Sequence, residues 1–280
     1  MKVKKDELKI KAQRAFAMPN MTFDISISTH SGLVREVNED SFSLNGYRRR
    51  REKSALTYRE QMTGGAFMLE VCDGMGGAKS GNIASSLAVD VFVEEVRRCW
   101  KPVMEQDKVD QMLRSAVKLA NFTVYDQSRQ FEEFDGMGTT LVAVMVRGRK
   151  ATVVNVGDSR AYHVGKSGIR QVTKDHSLVQ MMVDRGDLTP EVAKSYPGKN
   201  FITRAIGTEA TVLCDIFHLD VGKGDYLLLC SDGLSNLLDD QEILFEVVHG
   251  VYKQNCCKRL LNIAKNRGAP DNVTSVLIAI

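Results

Sequence analysis

Apolar patterning begins at Phe23, after a leading stretch that is polar and charged throughout. "FDISISTHSG", residues 23–32, alternates apolar and polar side chains with a period of two, which predicts a strand with one face buried. "SFSLNGYRRRREKSALTYREQMTGGAFMLEVCDG" predicts a second strand, a polar basic excursion and a third strand. The period then changes. Ile83, Leu87, Val91 and Val96 recur at helical spacing, and Leu113, Val117, Ala120 and Val124 mark a second long helix. Strands return in "GTTLVAVMVRG", "KATVVNVGDSRAYHV" and "DYLLLCSDG". Cys257, Leu260, Leu261 and Ala264 share one face of a last helix, and the chain closes on the strand "NVTSVLIAI". Strands and helices come in blocks and not in strict alternation, which predicts an α+β sandwich over a doubly wound sheet.

The apolar runs share one oddity: they stop on aspartates. "FMLEVCDG" ends on Asp73, "TVVNVGDS" on Asp158 and "YLLLCSDG" on Asp232, while the final strand starts just after Asp271. In an antiparallel sheet the end of one strand lies beside the start of its neighbour, so these four carboxylates can share one rim. Glu39 and Asp40 join them at the start of another strand. A single Asp-Gly is a common turn signal. Four such junctions make a repulsive cluster that needs compensating charge. Oxygen donors alone suit Mg²⁺ or Mn²⁺ over zinc or copper. Gly74, Gly76, Gly77 and Gly81 crowd the turn after Asp73. Such a bare turn leaves room for water and lets a backbone carbonyl serve as a ligand. A helix starting near Gly81 or Asn82 points its amides at the same rim, which favours anions. Divalent ions in anion-favouring surroundings suit hydrolysis of a phosphate ester. Arg35 offers a bidentate phosphate donor, with a surface salt bridge as its plain alternative.

Composition narrows the classes without choosing one. The chain has 280 residues, 43% hydrophobic and 26% charged, ordinary for a globular protein. A net charge of +3 is too small to argue for nucleic acid. No run is long enough for a membrane span. "MKVKKDELKIKAQRAF" lacks the apolar centre of a signal peptide, so a cytoplasmic protein is expected, with residues 1–20 as a basic extension. The six cysteines show neither CxxC pairs nor zinc spacing and read as packing thiols. Residues 48–51 are four consecutive arginines, either a solvated loop or a docking patch for an acidic partner.

Eight motifs occur in order: "GLVREVNEDSF", "VCDGMGGAKSGNIAS", "GMGTTLVAVMV", "NVGDSRAYHV", "TKDHSLV", "NFITRAIG", "LLLCSDGL" and "APDNVTSVLI". On these the chain, over residues 23–280, resembles the metal-dependent protein phosphatases (PPM, the type 2C serine/threonine phosphatases), most closely their bacterial branch. The resemblance implies a four-layer αββα sandwich: two mostly antiparallel sheets face to face, with helices on both outer faces. It implies one phosphatase domain over residues 21–280, with a mobile flap at about 177–200. It implies dephosphorylation of phosphoserine and phosphothreonine proteins by two Mn²⁺ or Mg²⁺ ions, whose bridging water attacks phosphorus in line. Asp73 would bridge the ions, with the Gly74 carbonyl on one of them. Asp232 and Asp271 would complete the ligand set of the second ion. Glu39 would act through water, with Asp40 one layer further out. Asp158 would join Asp232 at a weaker third site, and Arg35 would hold the substrate phosphate. A cognate serine/threonine kinase and a monomeric state are also implied.

The sequence departs from the family pattern in places. Met75 stands where animal-type members carry a histidine proposed as general acid, so the leaving-group proton would come from a metal-bound water or elsewhere. Ala78 and Asn82 replace a His and a Glu common in bacterial members; Asn82 would suit a helix cap. His176 is a tempting general acid, although its place at the flap base favours a structural role. The alternative function is a pseudophosphatase or regulatory phosphoprotein-binding module. Lost metal aspartates would mark it, and none is lost.

Overall fold

The computed structural model describes residues 22–45, 47–48, 56–63, 66–76, 80–101, 103–250 and 255–280. The basic extension of residues 1–20, arginines 49–51, Gly77 and Ala78 lie outside them.

Two six-stranded sheets stack face to face. Sheet one runs β11 (Gly168–Gln171), β10 (Arg160–Gly165), β13 (Tyr226–Cys230), β14 (Val273–Ala279), β1 (Thr22–His30) and β4 (Leu56–Thr63). Sheet two runs β12 (Asp215–Asp220), β9 (Lys150–Val156), β8 (Leu141–Arg147), β5 (Ala66–Cys72), β2 (Ser41–Leu44) and β3 (Tyr47–Arg48). Every pairing in both is antiparallel. A short ribbon of β6 (Gly74–Met75) and β7 (Gly138–Thr139) sits at one rim.

Three apolar layers hold this together. Phe23, Ile25 and Ile27 of β1 meet Phe67, Leu69 and Val71 of β5 between the sheets, with the Phe23 and Phe67 rings 5.1 Å apart. Outside sheet two, Met68 and Met145 pack against α1 (Gly81–Cys99) and α2 (Gln106–Gln130). Outside sheet one, Tyr162 and Leu228 pack against α6 (Asp240–His249) and α7 (Cys256–Asn266). Central strands β5 and β8 are therefore covered on both faces, which is why their sequences are apolar but for Glu70 and the terminal Arg147.

The expected αββα layering is present, and the second and last helices bury the faces read from the sequence: Leu113, Val117, Ala120 and Val124, then Cys257, Leu260, Leu261 and Ala264. Two elements differ. β1 is not half-buried: Ser26 and Ser28 are as enclosed as its apolar residues. Helix α7 lies over them, with Cys257 N–H donating to Ser26 Oγ at 3.2 Å. Helix α1 buries Val96 as expected but is turned away from the rest of its expected face. Ala84, Ser85, Ala88 and Phe92 are fully buried, while Ile83, Leu87 and Val91 line the margin. Small side chains let the helix axis approach its neighbours, so they take the innermost positions.

All six cysteines are free, and five are buried. Burial raises the thiol pKa, that of Cys230 to about 12, as expected of packing thiols. No helix among the described residues is long and apolar enough to cross a membrane.

The segment expected as a flap, residues 177–200, is more regular than its polar sequence suggests. It carries α3 (Leu178–Arg185) and α4 (Pro190–Ala193). Ser177 caps the first through Gln180 N–H, and Gly186 closes it at φ +81°. Thr189 caps the second ahead of Pro190. The ends meet at a narrow neck, where Ser177 bridges Ile202 and Leu178 N–H donates to the Phe201 carbonyl at 2.8 Å. His176 lies beneath this neck as a strut. Its Nδ1 accepts from Gly157 N–H at 3.0 Å and its Nε2 lies 3.2 Å from Asp215 Oδ2. Burial lowers its pKa and favours the neutral ring.

Candidate metal centre

Strand register explains why distant carboxylates share one place. Ser41 pairs with Cys72, so Asp40 and Asp73 are neighbours at the rim of sheet two. Leu141 pairs with Val156, which brings Asp158 to the same rim. Cys230 pairs with Ser275, so Asp232 and Asp271 are neighbours at the facing rim of sheet one. The face-to-face stack closes the two rims on each other. Asp73 feels Asp40, Asp232, Asp158 and Asp271 together.

That crowding shows in the chemistry of each group. Desolvation first, and the neighbouring carboxylates second, push the Asp73 pKa well above the ordinary range. Asp232 is raised by burial and then Asp271, and its carboxyl hydrogen-bonds Asp73. Two carboxyls in such contact must share a proton or a cation. Burial and then Asp232 raise Asp158, and burial also raises Glu39 and Asp40.

Fixed backbone and hydroxyl contacts aim the set. Asp73 N–H donates to Thr140 Oγ1 at 2.9 Å, while Thr139 Oγ1 and Thr140 N–H donate to the Asp73 carbonyl at 2.8 and 2.9 Å. Thr140 Oγ1 also bonds Ser159 Oγ at 2.7 Å, tying the Asp73 turn to the Asp158 turn. Asn272 Oδ1 accepts from Glu39 N–H at 2.7 Å, and its Nδ2 donates to the Ser31 and Val37 carbonyls. Ser231 Oγ donates to Asp40 Oδ2 at 2.8 Å. Thr139, Thr140, Ser231 and Asn272 were not singled out from sequence, although each sits inside one of the quoted motifs. Hydroxyls and amides beside a site carry no pattern of their own.

Two oxygens have no partner: Glu39 Oε1 and Asp40 Oδ1 are buried and accept nothing. Unused carboxylate oxygens at a rim of raised carboxyls are donors waiting for a positive charge. The donor set is all oxygen, so the residues fit hard divalent ions. Among the described residues no three His, Cys, Asp or Glu side chains are closed into a cation shell. Asp271 is turned to Arg35, and Asp232 to Asp73 and Asn236. The salt bridge weighed for Arg35 is thus present, with Nε and Nη2 each 3.1 Å from an Asp271 oxygen.

Two of the glycines also make room for their neighbours in the chain. A Cβ on Gly74 would come within 2.1 Å of the Gly81 carbonyl oxygen and 2.7 Å of the Glu39 carbonyl oxygen. A Cβ on Gly81 would stand 2.6 Å from Glu39 Oε1. Ser80, not Asn82, occupies the cap position of α1, and its hydroxyl donates back to the Gly76 carbonyl at 2.8 Å. Gly81→Ala is expected to displace the Glu39 carboxylate and weaken Mn²⁺ binding about tenfold. The same Cβ would stand 2.9 Å from the Gly74 carbonyl carbon, so the melting temperature of the metal-free protein should also fall, by about 2–4 °C. Calorimetric Mn²⁺ titration beside thermal melts checks both.

Comparison with known proteins gives the family. The Protein phosphatase 2C family model matches residues 57–259. Protein phosphatase PhpP of Streptococcus pneumoniae is 34% identical over 258 residues, covering 92% of this chain and 97% of that protein. The crystal structure of serine/threonine phosphatase Stp1 from Staphylococcus aureus superposes with a TM-score of 0.81 at 33% identity, covering 95% of this chain and 97% of the other. The catalytic domain of serine/threonine protein phosphatase PstP, solved in complex with two manganese ions, superposes with a TM-score of 0.73 at 30% identity, covering 92% and 99%. With its sheet rims carrying their acidic motifs in order, the chain belongs to the Protein phosphatase 2C (PPM) family and is a serine/threonine protein phosphatase of the bacterial type.

Proposed function

We propose that this phosphatase is a two-cation enzyme acting on phosphoserine and phosphothreonine monoesters of proteins. Residues 21–280 form its catalytic domain and residues 177–200 its flap. The carrying observation is the carboxyl contact between Asp73 and Asp232, with Glu39 Oε1 and Asp40 Oδ1 buried and unpartnered beside it. Asp73, the Gly74 carbonyl, Asp232 and Asp271 would hold two Mn²⁺ or Mg²⁺ ions, with Glu39 acting through water and Asp158 serving a weaker third position. Bound there, the ions supply Lewis acidity toward phosphate oxygens and lower the pKa of water to make a nucleophile near neutral pH.

The chain's own residues then have separable tasks. Arg35 presents a planar fork to the phosphoryl oxygens and fixes the phosphate's orientation. Asp40, anchored by Ser231 through Oδ2, keeps Oδ1 free to accept from a water and hold its direction of attack. Thr140 and Ser159 keep the Asp73 and Asp158 turns at a fixed spacing. Met75 follows Gly74, so the proton for the departing serine or threonine oxygen comes from solvent and not from a histidine there. The substrates are phosphorylated proteins of the cytoplasm, opposing a serine/threonine kinase, and the enzyme acts as a monomer.

Phosphate release from a phosphothreonine peptide tests this reading. Wild type with Mn²⁺ is expected to release phosphate, and EDTA to stop it. Asp232→Asn should fall to background under both conditions. Release by Asp232→Asn at the wild-type rate would sink the two-cation reading.

A further inference from the structure

Arg35 and Asp271 make a two-point contact between the residue assigned to phosphate and a residue assigned to a cation. Nη2 donates to Oδ2 and Nε approaches Oδ1, both at 3.1 Å. Oδ1 also accepts from Asn272 N–H at 2.9 Å. Both carboxylate oxygens are therefore engaged, and two of the guanidinium's donors with them. Neither group can meet its own ligand in full while the other holds it.

The backbones on either side keep the pair in register. Leu33 N–H donates to the Ala269 carbonyl at 2.8 Å. Gly32, at φ +82°, lies so close that a Cβ would stand 2.2 Å from the Asp271 carbonyl oxygen. The two loops are thus fastened while the side chains between them are 53% and 39% exposed. An exposed pair on a fixed base can open at small cost. Glu39 and Asp73 add to the field that holds the guanidinium at the acidic rim.

We propose that Arg35 and Asp271 form an exchange latch that couples cation binding to phosphate binding. Closed, Arg35 occupies Asp271 and places its own positive charge where a cation would approach. A cation at Asp271 releases Arg35 toward phosphate, and phosphate at Arg35 releases Asp271 toward the cation. The coupling is reciprocal, as any linkage between two binding equilibria must be. This inference rests on the two-cation reading above.

Titration calorimetry with Mn²⁺ on the EDTA-stripped full chain tests it, with far-UV circular dichroism to verify folding. Arg35→Ala is expected to bind Mn²⁺ roughly three- to fivefold tighter than wild type, since an exposed pair no longer competes. Arg35→Lys keeps the charge but loses the fork, and should tighten binding by a smaller factor. On an Asp271→Asn background, Arg35→Ala should change nothing. Inorganic phosphate should tighten Mn²⁺ binding more in wild type than in Arg35→Ala. Equal or weaker Mn²⁺ binding by Arg35→Ala overturns the latch. So does equal tightening on the Asp271→Asn background, which would reduce it to bulk charge. If wild type binds no Mn²⁺, or Asp73→Asn binds it as well as wild type, the two-cation reading falls and the latch with it.

Discussion

Asp73→Asn is expected to cut kcat/KM on a phosphothreonine peptide by on the order of a thousandfold, about 4 kcal/mol of transition-state stabilisation. The same change should make the metal-free protein more stable. Asp73 stands among four other carboxylates, and desolvation and their charge drive its pKa well above the ordinary range. An amide of the same shape carries no charge to be desolvated or repelled. Relief of roughly 1 kcal/mol corresponds to a rise in melting temperature of about 2–4 °C for a chain of this size. Activity assays in Mn²⁺ and thermal melts in EDTA read the two effects separately. A variant that loses activity because it is misfolded would melt lower, not higher. A melting temperature that falls in EDTA would refute the account of the rim as a store of repulsion.

The second large effect is an unusual dependence on pH. Asp40 is pushed up to about 7 and Asp158 to about 8, while both would titrate near 4 in the unfolded chain. A carboxyl with a raised folded pKa stabilises the fold while it stays protonated, and this contribution is lost as pH climbs through the folded value. The metal-free protein should therefore lose roughly 5 °C or more of melting temperature between pH 6 and pH 8.5. His176 sets the lower limit of that window. Its lowered pKa acts in the opposite sense, and its contribution is lost as pH falls through the folded value. Mn²⁺ at a hundred times its dissociation constant adds about 2.7 kcal/mol, or about 5–10 °C, and binds more tightly as pH rises because the ligands must be deprotonated. The slope against pH should thus flatten or reverse when Mn²⁺ is present. Differential scanning calorimetry over that range, with Mn²⁺ and with EDTA, checks both slopes. A metal-free melting temperature that is flat or rises with pH would contradict the raised carboxyls.

These effects trace to features with unequal visibility in the sequence. The acidic rim was legible because each aspartate interrupts an apolar run, and antiparallel pairing turns that common position into a common place. An α+β sandwich was legible because strands and helices come in blocks; its αββα layering came from the family resemblance, and β5 and β8, buried on both faces, fit it. Ser26 and Ser28 misled because hydroxyl side chains can be enclosed when a helix lies over them. Ile83, Leu87 and Val91 misled because bulk signals a helix face, whereas the closest packing belongs to Ala84 and Ala88. A salt bridge for Arg35 was weighed, but Asp271 as its partner was hidden. The contact joins residues 236 positions apart and depends on a loop fastened by one backbone hydrogen bond. Gly74 and Gly81 were visible as glycines, but what they make room for is another stretch of backbone and the Glu39 carboxylate.

The neck at Ser177 and Ile202 has an evolutionary consequence. The segment it closes contributes no buried residue from α3 or α4, and it leaves and rejoins the sandwich at adjacent points. Such an excursion is a cassette. Its length and sequence can change without disturbing the packing of the sheets or the place of their acidic rim.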